Sequence, residues 1–151
     1  MYRRFFLFIA VICLVGSLMF FGDRPPTQLS VGRVTVFASS QVCLPEGTVW
    51  TALGDGMVID TCLENLEEIL DLVQVLGITF ETKNTAAEIV SHFGARVEKR
   101  QTIASVNVYT YFLSSPLFSN YIEIDGRKIG AQIAVTPSAV LVGFPMILGS
   151  F

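Results

Sequence analysis

Residues 5–21 read FFLFIAVICLVGSLMFF, an unbroken apolar run led by Arg3 and Arg4 and followed by Gly22, Asp23, Arg24, Pro25 and Pro26. A helix of that composition has no polar face to offer water. The run lies near the lower limit of about 17–25 residues for a bilayer span, and the leading arginines favour a cytoplasmic N-terminus. A cleaved secretory signal competes with this reading, since it also begins basic and continues apolar. Its core usually runs about 7–15 residues and ends at a small-x-small site. Here Phe20 and Phe21 stand where small side chains are wanted, and the better Ala38-x-Ser40 pattern lies too far on. A buried core helix is the third reading. The retained span is the leading expectation: a membrane anchor or signal segment over 1–22, a spacer over 23–30 and an extracytoplasmic domain over 31–151. That places the chain at the cell membrane as a single-pass protein, with lipid as one partner.

Charge then narrows the function classes. The 151 residues include 10 basic and 13 acidic side chains. Setting Arg3 and Arg4 aside leaves the exported part at about −5, and such a field repels phosphate. The basic side chains that cluster are Arg96, Lys99 and Arg100 around Glu98, and the pair Arg127 and Lys128. No nucleic-acid partner is therefore expected.

Of the three cysteines, Cys13 falls in the apolar run, where Ile12 before it spoils a lipoprotein motif. Cys43 and Cys62 could close a loop of roughly 20 residues, worth about 3 kcal/mol by chain entropy. Two separate buried thiols are the equal alternative, because a domain of this size can build a core without a bridge. The spacing fits neither a CxxC redox pair nor a zinc knuckle.

Pro25-Pro26 marks a short extended spacer. Val31 to Ala38 alternates as a half-buried strand, and the stretch to Asp60 reads as loops with one strand around Val49 to Leu53. A helix is expected over Thr61 to Leu76. Thr61-x-x-Glu64 matches a capping box, Leu63, Leu66, Ile69, Leu70, Val73 and Leu76 form one apolar stripe, and Gly77 supplies a stop. Glu64, Glu67, Glu68 and Asp71 occupy the other face, where solvation is the expected role rather than acid–base chemistry or cation binding. Ile78 to Thr82 reads as a strand. A second helix follows, with Thr85-x-x-Glu88 as its capping box, Ile89, Val90 and Phe93 inward, and Gly94 as the stop. His92 closes it as an end-of-helix residue, and the adjacent Ser91 points about 100° away, so the two form no nucleophile–base pair.

From Arg96 the period changes to two. Val97 to Ile103, Ser105 to Leu113, Tyr121 to Ile124, Arg127 to Val135 and Ala139 to Val142 read as strands of an antiparallel meander. Asp125-Gly126 between apolar runs is the signal of a type I′ hairpin. The expected class is thus α+β, with an N-terminal transmembrane helix ahead of a two-helix, mainly antiparallel-sheet domain. The sheet face away from the helices is expected to carry Tyr109, Tyr111, Phe118 and Tyr121, a candidate interaction face, although aromatic residues in a sheet of this size more often form cross-strand packing pairs.

The segments VNVYTYF from Val106, KIGAQIAV from Lys128 and VGFPMILGSF from Val142, together with the Asp125-Gly126 turn, resemble the YwmB-like proteins of Firmicutes. The resemblance covers about a third of the chain. Gly130 departs from the asparagine of the family's KxNxQxAxx strand, and Met146 takes the first isoleucine position of its closing Gly-x-Pro-Ile-Ile signature. The resemblance implies an extracytoplasmic helix-and-sheet fold like that of the TATA-box-binding protein, without implying DNA binding.

No phosphate loop, nucleophile elbow, HExxH helix or EF-hand loop occurs, and no cofactor or metal is expected. The leading expectation is a non-catalytic domain acting by non-covalent contact with an envelope protein or another copy of itself. The alternative is a small exported enzyme with a noncanonical site drawn from His92, Cys43, Cys62 and the acidic helix face.

Overall fold

Val34, Val36 and Ala38 alternate with Thr35 and Phe37 along β1 (Val34–Ala38), and this period-two pattern gives one apolar face from which the sheet grows on both sides. The computed structural model describes residues 29–148. On one flank β1 pairs antiparallel with β3 (Gly56–Thr61), itself hairpinned to the edge strand β2 (Val49–Leu53). On the other flank β1 pairs with β4 (Val75–Thr82), and β4 with β10 (Val140–Phe144). β9 (Ala131–Val135), β6 (Val108–Ser114) and β5 (Arg96–Ile103) complete an eight-stranded sheet in the order β2-β3-β1-β4-β10-β9-β6-β5. β7 (Ile122–Ile124) and β8 (Arg127–Ile129) form a separate two-stranded ribbon. Its turn is the expected hairpin, with Asp125 at φ 51° and Gly126 at φ 72°.

Two helices cover one face. α1 (Leu63–Leu72) spans the β3-to-β4 crossover, and α2 (Ala86–His92) the passage from β4 to β5. Leu66 and Ile69 of α1 and Ile89 of α2 join Val34, Val36, Ile59, Phe80, Ile133 and Val142 in one buried cluster. Full burial of each such side chain is worth about 1.5–3 kcal/mol, so this layer carries the stability of the domain. The opposite face is covered in part by the chain beyond β10, where Ile147 packs with Val108 and Ala134 and its N–H donates to Gln132 Oε1 at 3.2 Å.

The expected architecture needs correction. The described chain is dominated by antiparallel sheet, and its helices have 10 and 7 residues. At about 1.5 Å per residue the longer spans half of a hydrocarbon core about 30 Å thick. Among the described residues no helix is long and apolar enough to cross a membrane, so the described structure gives no support to a transmembrane helix, a signal-anchor or a membrane character. The segment 1–22 on which that reading rested lies outside the described residues. The spacer expected over 23–30 lies outside them too, except for its last two residues. Leu29 packs against the core, and the N–H of Ser30 donates to Asn84 Oδ1 at 2.8 Å.

The helix expected over Thr61 to Leu76 is shorter at both ends. Thr61 is the last residue of β3, where it pairs with Val34, so Cys62 becomes the N-cap and no side chain caps α1. At the other end Val75 and Ile78 pair with Ala38 and Val36 of β1, and this ladder converts the last turn of the expected helix into strand. β3 occupies a stretch read as loop. By contrast, Thr85 and Glu88 form the full capping box, with Thr85 N–H donating to Glu88 Oε2 at 2.7 Å.

These caps yield a paired expectation for urea denaturation. Thr85→Ala should lower stability by about 1 kcal/mol, whereas Cys62→Ser should raise it by about 0.5–1 kcal/mol by supplying the missing cap acceptor. Equal effects of Thr61→Ala and Thr85→Ala would contradict this placement of the helix starts.

Candidate functional site

Four phenylalanines from four separate segments meet beneath the helices. Phe93 caps the end of α2, Phe118 lies in the β6-to-β7 connection, Phe144 ends β10 and Phe80 sits in the second half of β4. Phe118 and Phe144 ring centroids lie 5.7 Å apart, Phe93 and Phe118 5.5 Å, and Phe80 stacks on Phe144 at 6.0 Å. Such offset and edge-on contacts add about 0.5–1.5 kcal/mol per pair beyond area burial. They also fix the floor of a groove.

The walls of the groove come from Leu63 and Leu66 of α1, the start of β4 and the loop carrying Leu117. Leu76 and Leu117 stand at its rim, 57% and 50% exposed. Ser119 and Asn120 are the polar side chains of the lining, and no acid, base or thiol contributes to it. The enclosed volume is about 80 Å³, well below the range of about 300–1,000 Å³ usual for small-molecule sites. A single apolar side chain is the scale of object that fits. On α1, Glu67 lies one turn beyond Leu63 and Asp71 one turn further, so exposed carboxylates border the groove-facing stripe.

Phe118 reaches its place because residue 130 has no side chain. A Cβ at Gly130 would lie 2.5 Å from Phe118 Cβ and 2.7 Å from its ring.

The four aromatic residues expected on one outer face are distributed otherwise. Tyr109 and Tyr111 lie opposite Val135 and Ile133, on the face that carries the helices, with the Arg100 guanidinium 5.9 Å from the Tyr111 ring centre. Tyr121 lies in the β6-to-β7 connection, its ring 4.4 Å from Lys128 Nζ, and Phe118 alone belongs to the groove. Cys43 and Cys62 are exposed free thiols. Neither they, His92 nor the α1 carboxylates line the groove or the second cleft, which lies beneath the ribbon between Lys99, Phe112 and Arg127. Among the described residues no three His, Cys, Asp or Glu side chains gather as a metal set.

Among the described carboxylates held below their usual range, Glu88 owes it to the N–H and hydroxyl of Thr85 in the α2 capping box, and Asp60, Glu98 and Asp125 to partners in the sheet and ribbon. Ser114 Oγ donates to Glu98 at 2.6 Å and, with Arg96, holds that carboxyl below its usual range. Lys99, 2.8 Å from Asp125, does the same there and pins the ribbon to β5. The Arg33 guanidinium, aided by Thr35, lowers Asp60 across the β1–β3 pair. In the second cleft, Lys99 is matched by Asp125, and Arg127 donates to the backbone carbonyl of Glu98.

No protein-family model, curated protein or solved structure matches this chain, so the reading of the groove rests on its own geometry.

Two outcomes follow. Gly130→Ala should cost about 1–3 kcal/mol through overpacking, and Phe118→Gly in the same chain, which removes the clashing Cβ as well as the ring, should make that change nearly neutral. Additive losses in this double-mutant cycle would refute the contact. Folded-state carboxyl values held low mean that the unfolded chain binds more protons in acid. Their stabilisation is therefore complete above about pH 5 and fades as pH falls toward 3. Glu98→Gln should flatten that decline in melting temperature.

Proposed function

We propose that this chain is a non-catalytic binding domain that holds an apolar side chain of a protein partner, an envelope protein, in the groove between α1, β4 and the Leu117 loop. The observation that carries the reading is the lining: Leu63, Leu66, Leu76, Leu117, Phe118 and Phe144 converge there without any ionisable group. An apolar wall can desolvate an aliphatic or aromatic anchor and offers nothing that moves a proton or attacks a bond. The partner's chemistry follows from volume and charge. A groove of about 80 Å³ admits one anchor side chain, and the bordering Glu67 and Asp71 favour lysine or arginine beside it. The partner is thus a segment with a leucine or phenylalanine flanked by basic residues.

A synthetic peptide of that pattern, lysines around a central Leu-Phe, tests the reading by titration into the full chain with methyl NMR detection. Shifts should concentrate at Val31, Leu76 and Leu117. Leu117→Lys, which sets a like charge at the rim against the partner's lysines, should weaken binding by about 10-fold or more. Equal binding of a peptide with glutamates in place of the lysines, or shifts scattered over the sheet, would remove the groove as the site.

A further inference from the structure

The two edges of the main sheet are built by opposite rules. β5, at one edge, reads RVEKRQTI, with four charges and a register shift between Val97 and Lys99. Charges and bulges of this kind are what natural sheets use to keep an edge from pairing with another chain. β2, at the other edge, reads VWTAL, with no charge and no proline, and its pairing with β3 runs without a shift. Val49, Trp50 and Leu53 on it are 63%, 47% and 62% exposed. No described strand pairs with its outer side.

We infer that β2 pairs antiparallel with β2 of a second copy of this chain, about a twofold axis at Thr51. The register follows from the backbone. Leu53 and Gly56 flank a two-residue turn, so Val49, Thr51 and Leu53 direct their N–H and C=O groups toward β3, and Trp50 and Ala52 direct theirs to the free edge. Centring the pair on Thr51 sets Trp50 against Ala52 of the second copy, and Ala52 against its Trp50. Four backbone hydrogen bonds form between the copies. The large indole meets the smallest side chain of the strand, and Val49 meets Leu53. The paired stretch is bounded by turns at both ends, at Glu46-Gly47, where Thr48 N–H donates to the Pro45 carbonyl, and at Gly54-Asp55, so no charged residue falls within it. No like charges are opposed, and an uncharged, self-complementary strand is what an isologous interface requires. A second copy therefore fits this edge better than a strand carrying charge. The result is one continuous sheet through two subunits.

The test is position-dependent crosslinking of the full chain in mild detergent, with Cys13, Cys43 and Cys62 replaced by serine. Thr51→Cys places two thiols in a non-hydrogen-bonded antiparallel pair, where Cα atoms are about 4.5 Å apart and within disulfide reach. Ala52→Cys places them two residues out of register, about 7–8 Å apart and beyond that reach. With copper-phenanthroline as oxidant, Thr51→Cys should yield covalent dimer at least 10 times faster than Ala52→Cys or than Gln101→Cys on the β5 edge. Ala52→Pro removes an outward N–H without touching the β3 ladder and should abolish the noncovalent dimer in sedimentation, with far-UV circular dichroism unchanged. Trp50→Lys should do the same by opposing buried charge to the second copy. Equal crosslinking at all three positions, or a dimer that survives both substitutions, overturns the inference.

Discussion

Everything in this domain depends on the double claim made on β4. Its backbone is paired by β1 on one side, Val36 against Ile78, and by β10 on the other, Val142 against Phe80. Those two ladders join the N-terminal β1–β3 unit to the C-terminal β5–β10 unit, which otherwise share little of the sheet. A strand with neighbours on both sides satisfies all its backbone groups internally, and an apolar side chain on it, such as Phe80, is buried wherever a helix covers the face. The cost falls on α1. Val75 cannot serve both the expected helix and the ladder, and a β-branched residue loses less in the extended state.

That competition explains which parts of the fold could be read from the residues alone. The capping box at Thr85 and Glu88 and the Asp125-Gly126 turn are local devices, each satisfied by residues a few positions apart, and both occur as expected. Thr61 and Glu64 present the same pattern as Thr85 and Glu88. Thr61, however, is taken by cross-strand pairing with Val34, at a sequence distance no local pattern reports. β3 was hidden for a related reason: Gly54, Gly56 and Asp55 read as loop chemistry, though two of them make the tight turn of a hairpin. The transmembrane expectation rested on residues outside those described.

The groove was less legible than the fold. Its floor draws single phenylalanines from β4, α2, β10 and a connection, none of which stands out in its own segment. The signal that could have found it was Gly130, a glycine inside an otherwise continuous strand pattern, since such a residue marks close approach by another group. The tyrosines drew attention because they alternate along one strand. Alternation assigns Tyr109 and Tyr111 to a common face but not to a particular one, and their pairing with Val135 and Ile133 sets them on the helix side.

The groove and the β2 edge offer different physical chemistry, and that separates the partners proposed for them. The groove offers side-chain carbon and gains by removing apolar area from water, so it reads the shape of one anchor and is nearly blind to backbone. The edge offers unpaired N–H and C=O groups at a fixed spacing, so it reads extended backbone and register, with side chains deciding only which register has no conflict. α1 begins one residue after β3, so a strand added at β2 extends the sheet while leaving Leu63 and Leu66 facing the groove. A strand that paired with β2 by backbone would not need to displace the side chain proposed for the phenylalanine floor. The two surfaces can therefore be occupied together, which makes self-association compatible with partner binding rather than an alternative to it.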